Sequence, residues 1–164
     1  MRKRNFYVNG NESLKLLSII FIIFLCSCTS QPNYNGGNMD QAVKDFDELD
    51  NGASIWNEAV DYYHNKNYSA ALEKVNKYLE IKNCNKEQAY LMRGQIDHEI
   101  GNYTDCISDM SEVITLNSSK STAFVLRGNS YHSLGNLTAA CEDWQRATDL
   151  GSEAAKNNMN SFCK

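Results

Sequence analysis

Proline is nearly missing from this chain. Its 164 residues contain a single proline, Pro32, and residues 52–164 contain none. A proline inside a helix removes a backbone hydrogen bond and clashes with the preceding turn. Residues 52–164 therefore contain no helix-breaking residue of this kind, and their composition favours uninterrupted helices.

Basic residues are scarce outside the N-terminus. Residues 1–27 carry four of the 16 basic side chains and one of the 20 acidic ones, so the rest of the chain has a net charge of −7. No stripe of lysine or arginine remains there to neutralise phosphates, which argues against a nucleic acid as partner.

Recognisable catalytic motifs are also absent. The sequence has no glycine-rich phosphate loop, no His-Glu-x-x-His pair and no serine in a nucleophile elbow. Acidic residues recur at helical intervals, a pattern that predicts solvent-exposed helix faces. We therefore expect a protein that is not an enzyme and that binds no cofactor.

The N-terminus carries the pattern of a secretory signal. A basic, polar lead precedes an apolar run at residues 16–25, which is half as long as the roughly 20 residues of a membrane helix. The residues that follow, Leu25-Cys26-Ser27-Cys28, resemble the bacterial lipobox. That resemblance implies a signal peptide at residues 1–27 and a lipid on Cys28. An ordinary signal peptide with an incidental cysteine is the alternative.

Residues 28–51 are predicted to be a tether followed by a short helix. Two or three acyl chains would anchor the mature protein to a membrane. Thr29 follows Cys28. An aspartate there would suggest inner-membrane retention, so the lipoprotein resemblance implies the outer membrane of a bacterial envelope. No run of acidic residues directly follows Cys28 to signal surface export, which favours a periplasm-facing domain. Residues 29–39 predict a flexible spacer, and residues 40–50 a helix that ends at Asn51-Gly52.

The main feature of the sequence is an internal repeat of 34 residues. Residues 87–120 and 121–154 align directly, with Arg93-Gly94 above Arg127-Gly128. A more diverged third copy covers residues 52–85. A period of this length predicts helical hairpins that stack on one another.

Each copy resembles the tetratricopeptide repeat (TPR) in its order of small and large residues. Position 8 of the three copies holds Ala59, Gly94 and Gly128; position 20 holds Ala71, Cys106 and Ala140; position 24 holds Val75, Met110 and Trp144. The resemblance implies that the helices of a hairpin cross closely at positions 8 and 20. The expected fold is all-α: an α-solenoid of three TPR hairpins with a capping helix at residues 155–164.

Three residues depart from the TPR pattern. Arg93 and Arg127 occupy a position that is commonly apolar, and Asp97 occupies one that is commonly aromatic. Because each introduces a charge where the repeats pack, we expect the packing between neighbouring repeats to be disturbed locally. The hairpins themselves should form regardless.

The cysteines allow one disulfide to be considered. Cys141 lies ten residues before Gly151 and Cys163 twelve after it. In two antiparallel helices that turn at Gly151, the cysteines would lie about 15 and 18 Å from the turn and so roughly level. A disulfide and two free thiols both remain open. Cys106 should lie in the core, and a redox function using Cys84 or Cys163 is a third functional hypothesis.

The three histidines, His64, His98 and His132, share the 34-residue spacing. Equivalent side chains on stacked helices start about 8–10 Å apart, whereas zinc ligands lie about 2 Å from the metal. Duplication of the repeat explains the spacing without a metal, and we expect no metal site.

The TPR resemblance also implies a concave groove lined by positions 2, 5, 6, 9 and 12 of each first helix. These positions are Ala53, Trp56, Asn57, Val60 and Tyr63; Gln88, Leu91, Met92, Gln95 and His98; Thr122, Val125, Leu126, Asn129 and His132. They lack the cationic residues with which some TPR domains clamp a carboxylate. We expect another protein as partner, bound through an amphipathic helix or an extended apolar segment. The alternatives are a groove covered by the helix at residues 40–50, by self-association, or permanently by a larger envelope complex.

Overall fold

The computed structural model describes residues 39–164, with side chains described from residue 51 onward. This part of the chain forms seven helices and no strand: α1 (Met39–His64), α2 (Tyr68–Leu79), α3 (Lys86–Glu99), α4 (Tyr103–Leu116), α5 (Ser121–Ser133), α6 (Leu137–Asp149) and α7 (Glu153–Phe162). None of these helices is long and apolar enough to cross a membrane. The predicted signal peptide, Cys28 and the spacer lie outside the described residues.

Each hairpin turns through a residue with positive φ. Gly101 (φ 84°) follows α3 and Gly135 (φ 78°) follows α5, at the same position of two repeats, and Gly151 (φ 89°) follows α6. Lys66 takes this conformation (φ 56°) in the first hairpin. A side chain is unfavourable there, so the diverged first repeat forms the same turn at a greater cost.

The two helices of a hairpin cross closely at position 8, which confirms the reason given for its small residues. Ala59 is fully buried. A Cβ atom added to Gly94 would lie 2.5 Å from Cε of Met110, and one added to Gly128 would lie 2.8 Å from Nε1 of Trp144. A larger residue at position 8 would therefore have to push the second helix away.

The core consists of three clusters that follow the stacking order. The first joins α1, α2 and α3; the second joins α4 and α5; the third joins α5, α6 and α7. Each cluster takes its residues from helices that are consecutive in the chain. Burial is therefore local along the array, as expected for stacked repeats.

The first helix is longer than predicted. The sequence predicts that a short helix ends at Asn51-Gly52, but α1 continues through both residues. Gly52 is buried, and a Cβ atom there would lie 3.3 Å from Cδ1 of Ile81. The prediction was wrong because Gly52 does not end the helix; it allows a close contact with Ile81. A glycine inside a helix costs only about 1 kcal/mol, which such packing can offset.

The last helix begins two residues before the predicted boundary at residue 155. Ser152 caps it, with its Oγ accepting a hydrogen bond from the backbone N–H of Ala155 at 3.3 Å. Ala155 is buried and Met159 half-buried against the third cluster. Ala154 is exposed. The helix therefore covers the end of the array through a narrow face that includes Ala155 and Met159.

Candidate functional site

The predicted groove residues lie on α1, α3 and α5, the first helices of the three hairpins, and α3 contacts α5. On α3, Leu91, Met92 and Gln95 are half-buried, and so are Val125 and Leu126 on α5. Leu91 and Leu126 pack from outside against the second core cluster. These side chains thus form an apolar surface that is still partly open to solvent.

The first repeat contributes aromatic residues to the predicted groove. Trp56, Val60 and Tyr63 are half-buried, and the ring of Trp56 lies 5.1 Å from that of Tyr78. Burial, with a smaller contribution from the Glu99 carboxylate, raises the pKa of Tyr63, so this phenol is neutral at physiological pH and can donate a hydrogen bond. Four of the predicted positions are exposed and polar: Asn57, Gln88, Thr122 and His132.

The third repeat uses two of its predicted groove residues to hold the last helix. The Oδ1 atom of Asn129 accepts hydrogen bonds from Nε1 of Trp144 (2.9 Å) and Nδ2 of Asn158 (3.0 Å). The ring of His132 lies 4.5 Å from that of Phe162. Asn158 and Phe162 belong to α7, so these contacts already occupy the Asn129 side chain and one side of the His132 ring.

His98 also makes an internal contact. Its Nδ1 lies 3.0 Å from Oγ of Ser130, and that hydroxyl lies 3.1 Å from Sγ of Cys106. Burial raises the pKa of the Cys106 thiol to about 11, so it is protonated at physiological pH and a poor nucleophile. Within residues 51–164, no group of three histidine, cysteine or acidic side chains is placed to hold a metal ion.

Cys141 and Cys163 form a disulfide in the structure, with their Cα atoms 5.8 Å apart. The antiparallel arrangement of α6 and α7 brings them level, which decides between the two alternatives that the sequence leaves open. Cys84 and Cys106 are free thiols. Cys163 is therefore engaged in holding α7 in place.

The two arginines at position 7 form ion pairs rather than disturbing the packing. Arg93 makes a bidentate pair with Asp109 and Arg127 makes one with Asp143, each with N–O distances of 2.8 Å. Asp109 and Asp143 are 4% and 5% exposed. The prediction that these arginines disturb the repeats was therefore wrong. The prediction that the acidic residues lie on solvated faces holds for most of them but was wrong for Asp109, Asp143 and Asp97.

The same pair exists in the first repeat with its charges exchanged, since Glu58 Oε2 lies 2.6 Å from Nζ of Lys74. The sequence contained a signal for these pairs. Position 7 holds Glu58, Arg93 and Arg127, and position 23 holds Lys74, Asp109 and Asp143. Each repeat thus matches opposite charges sixteen residues apart, but a single copy read alone does not reveal the pairing.

Comparison with known proteins gives matches among solved structures. No protein-family model and no curated protein matches the chain. The first TPR domain of Spaghetti (RPAP3), bound to the HSP90 peptide SRMEEVD, has 19% identity and a TM-score of 0.63 over 68% of this chain and 89% of that one. The N-terminal domain of C. elegans STI-1 has 14% identity and a TM-score of 0.63, over 71% and 98%.

A third structure contains a bound partner of another kind. PcrH, in complex with the chaperone-binding region of PopB, has 14% identity and a TM-score of 0.61 over 69% of this chain and 94% of that one. The fold is that of a TPR domain. This confirms the predicted all-α solenoid, in which α1–α2, α3–α4 and α5–α6 are the three TPR hairpins and α7 is the capping helix.

The TPR hairpins differ at position 11. Tyr62 and Tyr131 occupy it in the first and third TPR hairpins, and Asp97 occupies it in the second. Asp97 is 6% exposed and lines a pocket between α2 and the second hairpin. The sequence identifies Asp97 as a departure from the pattern, but its burial and the pocket depend on how the repeats stack.

Proposed function

We propose that this protein is a non-enzymatic adaptor or assembly factor that binds a segment of another protein in the concave groove of its TPR domain. The observation that carries the proposal is the row of half-buried apolar residues on α3 and α5, beside the amide of Gln95. Each of these side chains also packs against a core cluster, so a partner would bury the part of each that stays open to solvent. TPR domains with this fold hold peptides in the structures of Spaghetti and PcrH.

The composition of the groove favours an apolar ligand. None of its predicted positions carries a lysine or arginine, so it offers no charged donor to a terminal carboxylate. Apolar side chains on an amphipathic helix or an extended segment would bury the open surfaces of Leu91 and Val125, while the amides could pair with backbone groups of the ligand.

Site-specific photocrosslinking in cells tests the groove. A photoreactive amino acid at Leu91 or Val125 should yield one discrete crosslinked product, and the same probe at Lys156, on the exposed face of α7, should not. Leu126→Asp should abolish the product; because Leu126 also packs against the second core cluster, circular dichroism and a thermal melt establish that this variant is folded before its crosslinking is compared. Equal crosslinking from Lys156, or none from the groove positions, would reject the proposal.

Experiments on the isolated protein distinguish an open groove from one that is permanently filled in an envelope complex. An open groove predicts a monomer in size-exclusion chromatography that binds an apolar dye, with dye binding weakened by Leu126→Asp. A dimer or larger assembly that binds no dye would instead favour a covered groove.

We further propose that a lipid on Cys28 attaches this adaptor to a membrane of a bacterial cell envelope, with the outer membrane and a periplasm-facing TPR domain favoured. The supporting observation is the lipobox-like Leu25-Cys26-Ser27-Cys28 at the end of the apolar run. Cells grown with labelled palmitate should label the wild-type protein and not the Cys28→Ser variant. Label on both would place the lipid elsewhere, and label on neither would reject the anchor.

A further inference from the structure

A pocket of about 380 Å³ lies between α2, α3 and α4 and shares no residue with the candidate groove. Its polar lining consists of three carboxylates, one guanidinium, two amides and one hydroxyl: Asp97, Asp105, Asp109, Arg93, Asn76, Asn102 and Ser108. The pocket belongs to the second TPR hairpin and the helix that precedes it.

The charges in this pocket do not balance. Three of the five N–H donors of the Arg93 guanidinium are engaged, since it makes two hydrogen bonds of 2.8 Å to Asp109 and one of 2.8 Å to Oδ1 of Asn76. Arg93 and Asp109 therefore offset each other. Within residues 51–164, no cation pairs with Asp97 or with Asp105. Two carboxylates thus remain without a counter-charge.

Asp97 is the more unusual of the two because it is 6% exposed. Its Oδ1 receives one long hydrogen bond, 3.4 Å from Nδ2 of Asn102, and its Oδ2 receives none from any described residue. Burial, with smaller contributions from Asp109 and Asp105, raises the pKa of Asp97. No fully buried side-chain oxygen among the described residues lacks a hydrogen-bond partner, so the Oδ2 atom of Asp97 is open to the pocket. Buried carboxylates are normally paired with a cation, and Asp97 has none.

Comparison with the other hairpins shows that this arrangement is specific to the second. Their tyrosines at position 11 leave no carboxylate at this point. Asn67 and Asn136 use their side chains to cap the following helix, whereas Asn102, at the same repeat position, makes no capping hydrogen bond. The Oδ1 of Asn102 is consequently available as an acceptor beside Asp97.

We propose that this pocket binds a lysine side chain of a protein partner, with Asp97, Asp105 and the Oδ1 atom of Asn102 accepting hydrogen bonds from its ammonium group. A primary ammonium has three donors on one compact centre, which suits three acceptors around a pocket. The net charge of −7 that remains after residues 1–27 attracts basic partners toward this surface. The pocket does not depend on the groove, and one partner could use both.

The test is a titration of the ¹⁵N-labelled full-length protein in detergent with N-acetyl-lysine methylamide, followed by NMR. We expect saturable shifts of the signals of Asp97, Asp105 and the Asn102 side chain. The norleucine analogue, which keeps the alkyl chain and lacks the ammonium, should produce none. In the Asp97→Asn variant, the shifts should no longer saturate at probe concentrations up to about 50 mM. This range is sufficient because the proposal requires only a millimolar Kd for the isolated probe.

The control is Asp61→Asn, which removes an exposed carboxylate of α1 and should bind the lysine probe as the wild type does. Unchanged binding by Asp97→Asn, equal shifts with norleucine, or loss of binding in both variants would overturn the proposal. Saturation by calcium chloride alone would also overturn it, since the pocket would then select a metal cation. If the groove alone holds a partner, that partner should still crosslink from Leu91 in the Asp97→Asn variant. The proposal for the groove and the proposal for the pocket can therefore fail independently of each other.

Discussion

Gly94 and Gly128 occupy the same position of two TPR repeats but face different neighbours. The atom that would meet a Cβ at Gly94 is the terminal Cε of Met110, which can rotate away. At Gly128 it is the indole of Trp144 at 2.8 Å, and that ring is held by its hydrogen bond to Asn129. Whether a methyl group is tolerated at position 8 therefore depends on the residue of the second helix that faces it, not on the glycine itself.

Gly128→Ala should accordingly destabilise the protein more than Gly94→Ala. Overpacking that shifts a fixed ring costs about 1–3 kcal/mol, whereas a flexible methionine can yield at lower cost. Urea unfolding followed by circular dichroism measures both variants against the wild type. A larger loss for Gly94→Ala would show that Met110 is the more rigid of the two neighbours.

We expect the Asp97 carboxylate to reduce the stability of the protein at neutral pH. Burial raises its pKa above the ordinary value of 3.8, so the folded protein binds this proton more tightly than the unfolded chain. Its unfavourable contribution is therefore present above the raised pKa and disappears as the pH falls through that pKa toward 3.8.

The expected result is that Asp97→Asn melts at a higher temperature than the wild type at pH 7, and that the gap narrows as the pH is lowered toward 4. Thermal melts of both proteins across this range provide the measurement, with Asp61→Asn as the control for a general loss of acidic charge. A lower melting temperature for Asp97→Asn at pH 7 would mean that the carboxylate stabilises the free protein.

At the scale of the helices, each position-7 arginine connects three of them. Arg127 on α5 pairs with Asp143 on α6 and donates a hydrogen bond of 3.0 Å to Oγ of Ser111 on α4. Arg93 makes the equivalent contacts one repeat earlier. These side chains thus tie a hairpin together and join it to the preceding repeat.

Asp143→Asn should destabilise the protein by about 3 kcal/mol, because it leaves the Arg127 guanidinium, whose side chain is 20% exposed, without its carboxylate. Glu142→Gln is the matched control, since Glu142 is the exposed neighbour on the same helix. Replacing both partners, as in Arg127→Met with Asp143→Leu, should recover much of the loss. If Asp143→Asn costs no more than Glu142→Gln, the pair does not stabilise the array.

At the scale of the whole described array, the end that follows the third hairpin is closed by α7 and the Cys141–Cys163 disulfide. The bond joins residues 22 apart, and the chain-entropy model assigns about 3 kcal/mol to a loop of this size. Because each repeat contacts mainly its neighbours, the effect of losing the bond should be confined to that end.

Reduction of the protein, or Cys163→Ser, should therefore speed amide hydrogen exchange in α7 and the adjoining face of α6 and leave α3 and α4 nearly unchanged. Exchange measured peptide by peptide with mass spectrometry tests this, and Cys84→Ser, which removes a free thiol, is the control. Equal acceleration in α3 and α4 would mean that the array unfolds as one unit.

The sequence alone determined the hairpin architecture of this protein. The signals are local: a repeat of 34 residues, small residues at positions 8 and 20, and glycines such as Gly101 and Gly135 between the helices of a hairpin. They can be recognised because they recur in the duplicated copies. They act through backbone preferences and helix periodicity, which do not require knowledge of which side chains meet. The position of the groove on the first helices is what the TPR resemblance implies, and it stays a prediction.

The tertiary structure alone decided how the charged and polar residues are used. Three features depend on contacts between different helices: the ion pair of Arg127 with Asp143, the hydrogen bond of Asn129 with α7, and the burial of Asp97. The continuation of α1 through Gly52 likewise depends on Ile81, which lies beyond the next helix. A charge costs little in water and much in a packed interface, so its role is settled only when the surrounding helices determine whether it is solvated, paired or left without a partner.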